Sequence, residues 1–177
     1  MVCGRGPIGL LGVGVAKALG TEPVILTGTR AERLALGRKL GADFLVNVRE
    51  VNPVDAVLRL TEGRGGDLAL ECSGAPDTLD QCRRMVKRVG KICLAAFLHD
   101  KVLVDVAHIV RNNVYVYGIR GEGQSATHRA MALMRQRRFE ASLIHTHTFP
   151  MRELPKAIRH ARERIDGAIK VVVTNRS

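Results

Sequence analysis

Apolar positions along the chain alternate between two periods. Residues 1–3 are an apolar stub running into "GRGPIG". Beyond it Ile8, Leu11, Val15 and Leu19 recur at helical spacing, which predicts a helix that Gly20 can close. "PVILTG" (23–28) is a short β-branched run ending in glycine, the pattern of a buried strand. "RAERLALGRKLGAD" predicts a helix stopped at Gly41, and "FLVNV" the next strand. Asn52 and Pro53 open a helix through Leu60, "GRGG" (63–66) breaks it, and "DLALECSG" predicts a strand turning at Gly74. Leu79, Cys82 and Val86 form one apolar stripe opposite Arg83, Arg84, Lys87 and Arg88. "KICLAAF" and "NVYVYGI" read as two more strands, and 124–137 as a helix. Leu154, Ile158, Ala161 and Ile165 stripe a last helix before the closing strand "AIKVVVT".

Strand and helix in alternation predict an α/β fold: a mostly parallel sheet with helices on both faces. A glycine turn after the first strand makes that sheet doubly wound and Rossmann-type. The 177 residues fit one dinucleotide-binding domain, 1–177, with no repeat or linker inside it. Its first strand is cut to a stub, which is expected to leave neighbouring ladder groups without partners.

Composition narrows the function classes. At 46% hydrophobic residues the chain is globular, and it has neither a signal-peptide layout nor an apolar run of membrane-spanning length, so a cytoplasmic protein with no membrane partner is expected. The 28 basic against 17 acidic residues give a net charge of +11. That charge is spread over several helix faces, aromatics are only 3% and no DNA-reading motif is present, so no nucleic-acid partner is expected. Cys3, Cys72, Cys82 and Cys93 have no metal-like spacing and read as free thiols. His145 and His147 fall on one face of a strand and lack a third ligand; His99, His108, His128 and His160 read as surface or loop positions.

Candidate chemistry concentrates at the glycines. Gly4, Gly6 and Gly9 have the G-x-G-x-x-G spacing, with Pro7 and Ile8 inside it. The first glycine permits the tight turn, the second lets backbone approach a pyrophosphate, and the third lets helix pack on strand. The helix N-terminus adds free N–H groups and a positive dipole end. Methyltransferases that use S-adenosylmethionine have a similar turn, but normally an acidic residue ends their second strand. Here Gly28 stands at that place, followed by Thr29 and Arg30, with Arg33 one turn on. Without the carboxylate, repulsion against a 2′-phosphate is gone and a hydroxyl and guanidinium stand beside the gap, which favours NADP over NAD. The alternative is that Gly28 eases the turn and both arginines are solvated.

Taken together, "GRGPIGLLGVGVAKALG", "RLALGRKLGAD", "GGDLALECSGAP" and "GAIKVVVT" resemble the zinc-type medium-chain dehydrogenases, the family of alcohol, sorbitol and threonine dehydrogenases. The resemblance covers essentially the whole chain and is best to the polyol and threonine branch. It implies a C-terminal cofactor domain whose partner, a GroES-like catalytic domain with the zinc ligands and substrate pocket, precedes it in the family and is lacking here. Zinc and catalytic residues are therefore expected only in that missing domain, and none are assigned to this chain. The resemblance implies that NADP or NAD is held for hydride transfer from a small secondary alcohol or polyol. It puts Ile8 against the pyrophosphate and ribose, and Gly28, Arg30 and Arg33 at the adenosine ribose. Cys72, Ser73 and Gly74 lie at the ligand-binding rim, and Leu94, Ala95, Ala96 and Phe97, with Gly118, Ile119 and Arg120, flank the nicotinamide. Lys170 could reach a phosphate. The family commonly associates through the strand matching "NNVYVYG", so a homo-oligomer is expected. A non-catalytic dinucleotide-binding or oligomerisation module is the alternative reading.

Overall fold

The computed structural model describes residues 1–98, 100–121 and 123–175. Six strands form one parallel sheet: β1 (Val2–Cys3), β2 (Ile25–Gly28), β3 (Phe44–Asn47), β4 (Gly66–Glu71), β5 (Val86–Leu94) and β6 (Tyr115–Gly118). Their order is β3-β2-β1-β4-β5-β6. This is the doubly wound order, and it reverses between β1 and β4. Helices α1 (Pro7–Ala18), α2 (Ala31–Lys39), α3 (Pro53–Leu60), α4 (Thr78–Met85), α5 (Val106–Asn112) and α6 (Gly123–Arg135) connect or follow these strands. No helix among the described residues is long and apolar enough to cross a membrane.

Neighbouring side chains on a strand point to opposite faces, and here both faces are buried. Val2 and Leu26 join a cluster with Leu10, Val13 and Leu34 of α1 and α2. Cys3 and Ile25 join the opposite cluster with Val57, Cys82 and Met85 of α3 and α4. The β1 stub is fully laddered: Val2 and Cys3 pair with β2 and β4, and Cys72 N–H donates to the Cys3 carbonyl at 2.8 Å. The expected orphan ladder groups are therefore absent at this strand.

Two helices bury faces other than their apolar stripes. In α1 the buried residues are Gly9, Leu10, Val13, Gly14 and Ala18, whereas Ile8 and Leu19 are 58% and 68% exposed. Glycines carry no hydrophobic signal, yet they set which face can approach. A Cβ on Gly9 would strike the Gly4 carbonyl, and one on Gly14 would lie 2.5 Å from the Phe139 ring. The chain's final segment behaves alike. Strands β7 (His145–Pro150) and β8 (Lys170–Thr174) pair in a separate two-stranded sheet, with α7 (Leu154–Glu163) between them in sequence. α7 buries Ala157 and His160, not Leu154 and Ile158, because so small a sheet covers only a narrow stripe. His160 is thus not a surface position: its ring packs edge-on against Phe149 at 4.8 Å. Ile144 and Ile169 seat this unit on the α1/α2 side of the main sheet.

Smaller differences are local. Val86 begins β5 rather than ending the helical stripe, which Met85 completes. α5 fills a stretch the apolar pattern leaves unassigned, because none of its residues is buried; the Asp105 carboxylate caps it by accepting from His108 N–H at 3.0 Å.

Candidate functional site

The strand order reverses between β1 and β4, and ligands of such sheets bind in the crevice beyond the strands' carboxyl ends. Three glycines shape that crevice for different reasons. Gly4 leaves β1 at φ +119°, and a Cβ there would sit 2.7 Å from the backbone of Cys72 and Ser73. Gly9 lets α1 start against the Gly4 carbonyl. Gly6 is different: its φ is an ordinary −74°, and nothing lies within 4 Å of where its Cβ would be. The fold therefore requires glycine at 4 and 9, while Gly6 opens on empty space. It is the N-cap of α1, with Pro7 in the first turn, and no side chain caps that helix end. Ile8 stands exposed beside it. A helix N-terminus open to a glycine-lined space fits an anionic diphosphate.

The opposite wall is the turn after β4, and Glu71 organises it. This carboxylate is fully buried at the strand's end. Its Oε1 accepts from Ser73 N–H and Oγ, both at 2.7 Å, and from Gly74 N–H at 2.9 Å. Its backbone carbonyl accepts from Ala95 and Ala96 N–H, joining this turn to the end of β5. Ser73 Oγ also shares a 2.8 Å hydrogen bond with Thr78 Oγ1 at the start of α4. Oε2 of Glu71 is buried without a partner among the described residues. Sequence reasoning passed over Glu71; the available signal was a carboxylate inside the otherwise apolar "LALEC". Cys72 is half-buried, and burial pushes its thiol pKa up to about 12, so it is no nucleophile at neutral pH.

Gly74, at φ +66°, would bring a Cβ to 3.3 Å from the Phe97 carbonyl and 3.5 Å from Ala96 Cβ, so this rim is close-packed. Phe97 is 70% exposed, and the Arg120 guanidinium lies over its ring at 5.8 Å. Ile119 N–H donates to the Leu94 carbonyl at 3.0 Å, which holds Ile119 and Arg120 beside Ala95, Ala96 and Phe97. The β4, β5 and β6 ends thus converge.

At the β2 end, Gly28 is buried and Thr29 and Arg30 are half-exposed, Arg30 as the N-cap of α2. Arg33 is committed elsewhere: it is buried, and its guanidinium donates to the Ala168 carbonyl at 2.6 Å, tying α2 to the residues before β8. The fold brings Arg5 to this end instead, a residue the G-x-G spacing leaves unspecified between its two glycines. Its side chain lies over Gly28, with Cδ 2.7 Å from where a Gly28 Cβ would be. Burial lowers the Arg5 pKa, as do the nearby charges of Arg30, Arg164 and Arg49.

The remaining candidates stay outside this crevice. The register shifts between His145 and His147, so the two do not share a regular face: His145 bonds Thr148 at 2.8 Å, while His147 stacks near Phe149 and His160. Among the described residues no group of three His, Cys, Asp or Glu could hold a metal. Lys170 is exposed at the start of β8. His99 lies outside the described residues.

Known proteins give this geometry a family. A family profile described as zinc-binding dehydrogenase matches residues 7–136. L-threonine 3-dehydrogenase of Pyrococcus furiosus is 40% identical over 122 residues, 68% of this chain and 35% of that protein. The enzyme of the same name from Bacillus licheniformis is 32% identical over 173 residues, 97% of this chain and 50% of that one. Among solved structures, an alcohol dehydrogenase from Thermotoga maritima superposes with a TM-score of 0.90 at 31% identity, covering 97% of this chain and 48% of its own. 2R,3R-butanediol dehydrogenase from Bacillus subtilis gives 0.89 at 26% identity, covering 98% and 50%. The chain thus spans between a third and half the length of the curated relatives it matches. Profile, relatives and superposition agree with the crevice built above: this chain belongs to the zinc-binding dehydrogenase family.

Proposed function

We propose that this chain is the nicotinamide-dinucleotide-binding part of an alcohol, polyol or threonine dehydrogenase, with NADP favoured over NAD. The observation that carries it is the space over Gly6 at the uncapped start of α1, beside glycines the fold itself requires at 4 and 9. A pyrophosphate would lie there, with Pro7 and Ile8 beneath it. Gly28, Thr29 and Arg30 would face the adenosine ribose, while Gly74, Ala96, Phe97, Ile119 and Arg120 would flank the nicotinamide end. When bound, the nicotinamide supplies the hydride acceptor. The chain's own work is to bind and orient. The α1 N-terminus sets the anion's place, Glu71 holds the Ser73–Gly74 turn rigid through three hydrogen bonds, and the exposed Phe97 and Ile119 offer apolar cover that excludes water.

Among the described residues no three His, Cys, Asp or Glu side chains gather as a zinc site would need. In this reading the zinc-bearing and alcohol-selecting residues belong to the other part of the relatives' length. The chain by itself should then bind cofactor without oxidising threonine, alcohols or polyols, even with zinc added.

Calorimetric titration with NADPH and NADH tests the reading. Binding of at least one is expected, with 1:1 stoichiometry. Gly6→Ala should unfold within about 0.5 kcal/mol of the parent, because its Cβ meets no protein atom, yet bind roughly tenfold more weakly. Unchanged affinity in that variant would remove the pyrophosphate from α1.

A further inference from the structure

Arg5 reaches over Gly28 at the crevice with part of its guanidinium unpartnered among the described residues. It is half-buried, and its Nε is buried with no hydrogen-bond partner among the described residues. No ion pair among the described residues involves Arg5, Arg30, Arg49 or Arg164. Burying a guanidinium nitrogen without a partner, close to other arginines, is unfavourable unless an anion completes the site. Burial, and after it the charges of Arg30 and Arg164, lower the pKa of both Arg5 and Arg33. Two of these four groups come from distant parts of the chain: Arg5 follows β1 and Arg164 caps α7. The Arg33–Ala168 hydrogen bond holds that C-terminal segment beside α2.

Gly28 links this cluster to a ligand. A Cβ at 28 would lie 2.7 Å from Arg5 Cδ, so an acidic residue there would require the Arg5 side chain to move from its place over Gly28. That position is where a carboxylate would hold unmodified ribose hydroxyls. The fold has therefore replaced an acceptor for a diol by a planar, permanently charged donor suited to a phosphate monoester.

We propose that Arg5, lying over Gly28 with Arg30 and Arg164 as neighbouring cations, is the residue that selects a 2′-phosphorylated adenosine, and so NADP over NAD. This rests on the dinucleotide reading given above and goes beyond it by naming the discriminating side chain, one outside the β2 end.

The test is calorimetry on the 177-residue chain with NADPH, NADH, 2′,5′-ADP and 5′-AMP, comparing Arg5→Ala with the parent. Arg88→Ala is the control, removing one exposed charge at the far end of the sheet. The parent should prefer NADPH over NADH and 2′,5′-ADP over 5′-AMP. Arg5→Ala should lose about tenfold or more for the two 2′-phosphorylated ligands while NADH stays within about twofold, and Arg88→Ala should change neither. Gly28→Asp, which evicts Arg5 and restores a carboxylate, should shift preference toward NADH. Equal loss of NADPH and NADH in Arg5→Ala would mean that Arg5 covers the adenine rather than reading the phosphate, and overturns the proposal. So does a parent chain that binds both cofactors alike, although the dinucleotide reading survives that outcome. Binding of neither by the parent rejects both.

Discussion

Single residues here are constrained most tightly by backbone geometry. Val89 is the clearest case: it sits at φ +60° inside β5, where the register against β4 shifts between Val86 and Lys91, and it is 55% exposed. A β-branched residue in the left-handed region costs about 1–2 kcal/mol, and little burial offsets that cost. Glycine adopts the conformation freely but loses more entropy on folding. Val89→Gly is therefore expected to stabilise the chain by about 0.5–1 kcal/mol, read as a higher urea midpoint at unchanged slope. A lower midpoint would show that the Val89 side chain contributes packing that its exposure hides. The motif glycines were legible in the sequence at this scale. Their separate reasons were legible too: the motif predicts a tight turn at Gly4, close backbone approach at Gly6 and helix–strand packing at Gly9, and the structure gives Gly4 a positive φ, Gly6 open space and Gly9 contact with the Gly4 carbonyl.

At the scale of elements, strands were read more faithfully than helix faces. A doubly buried strand is an apolar run whichever way it is rotated, so "PVILTG" and "KICLAAF" announce β2 and β5 directly. A helix face is chosen by what approaches it. In α1 glycines and in α7 a small aromatic-backed patch outrank the larger exposed aliphatics. The link between elements that matters most for the site is Arg33 to the Ala168 carbonyl, a buried charged hydrogen bond spanning 135 positions in sequence. Arg33→Ala should cost about 1.5–3 kcal/mol and raise amide exchange in β8 before β2 or β4. Uniform exchange across all three strands would show that the C-terminal unit is held by Ile144 and Ile169 packing rather than by this bond.

For the whole molecule, the six-stranded sheet has one edge at β3 and the other at β6. Tyr115, Val116 and Tyr117 are all substantially exposed there, although Val114 just before them is buried. An exposed apolar edge strand invites pairing, and a two-fold axis would extend the sheet across two copies. A dimer is the expected state by light scattering, with Val116→Lys shifting it toward monomer. A parent chain that is monomeric at tens of micromolar rejects the edge-pairing reading and leaves the cofactor site untouched.

By itself the sequence determined the strand–helix alternation, the parallel doubly wound sheet and the glycine turn, because each is written in local periodicity or in a short motif, while the segments at 95–97 and 119–120 were named only through the resemblance to a known family. Only the tertiary structure decided that Arg33 is spent on a backbone carbonyl, that Arg5 lies over Gly28, that Glu71 anchors the β4 turn, and that the last two strands form a sheet of their own. These are contacts between residues 23 or more positions apart or choices among several polar partners. A linear pattern records what each residue could bury or bond. Which of those options is taken depends on competition in three dimensions, where satisfying one buried donor removes it from another role.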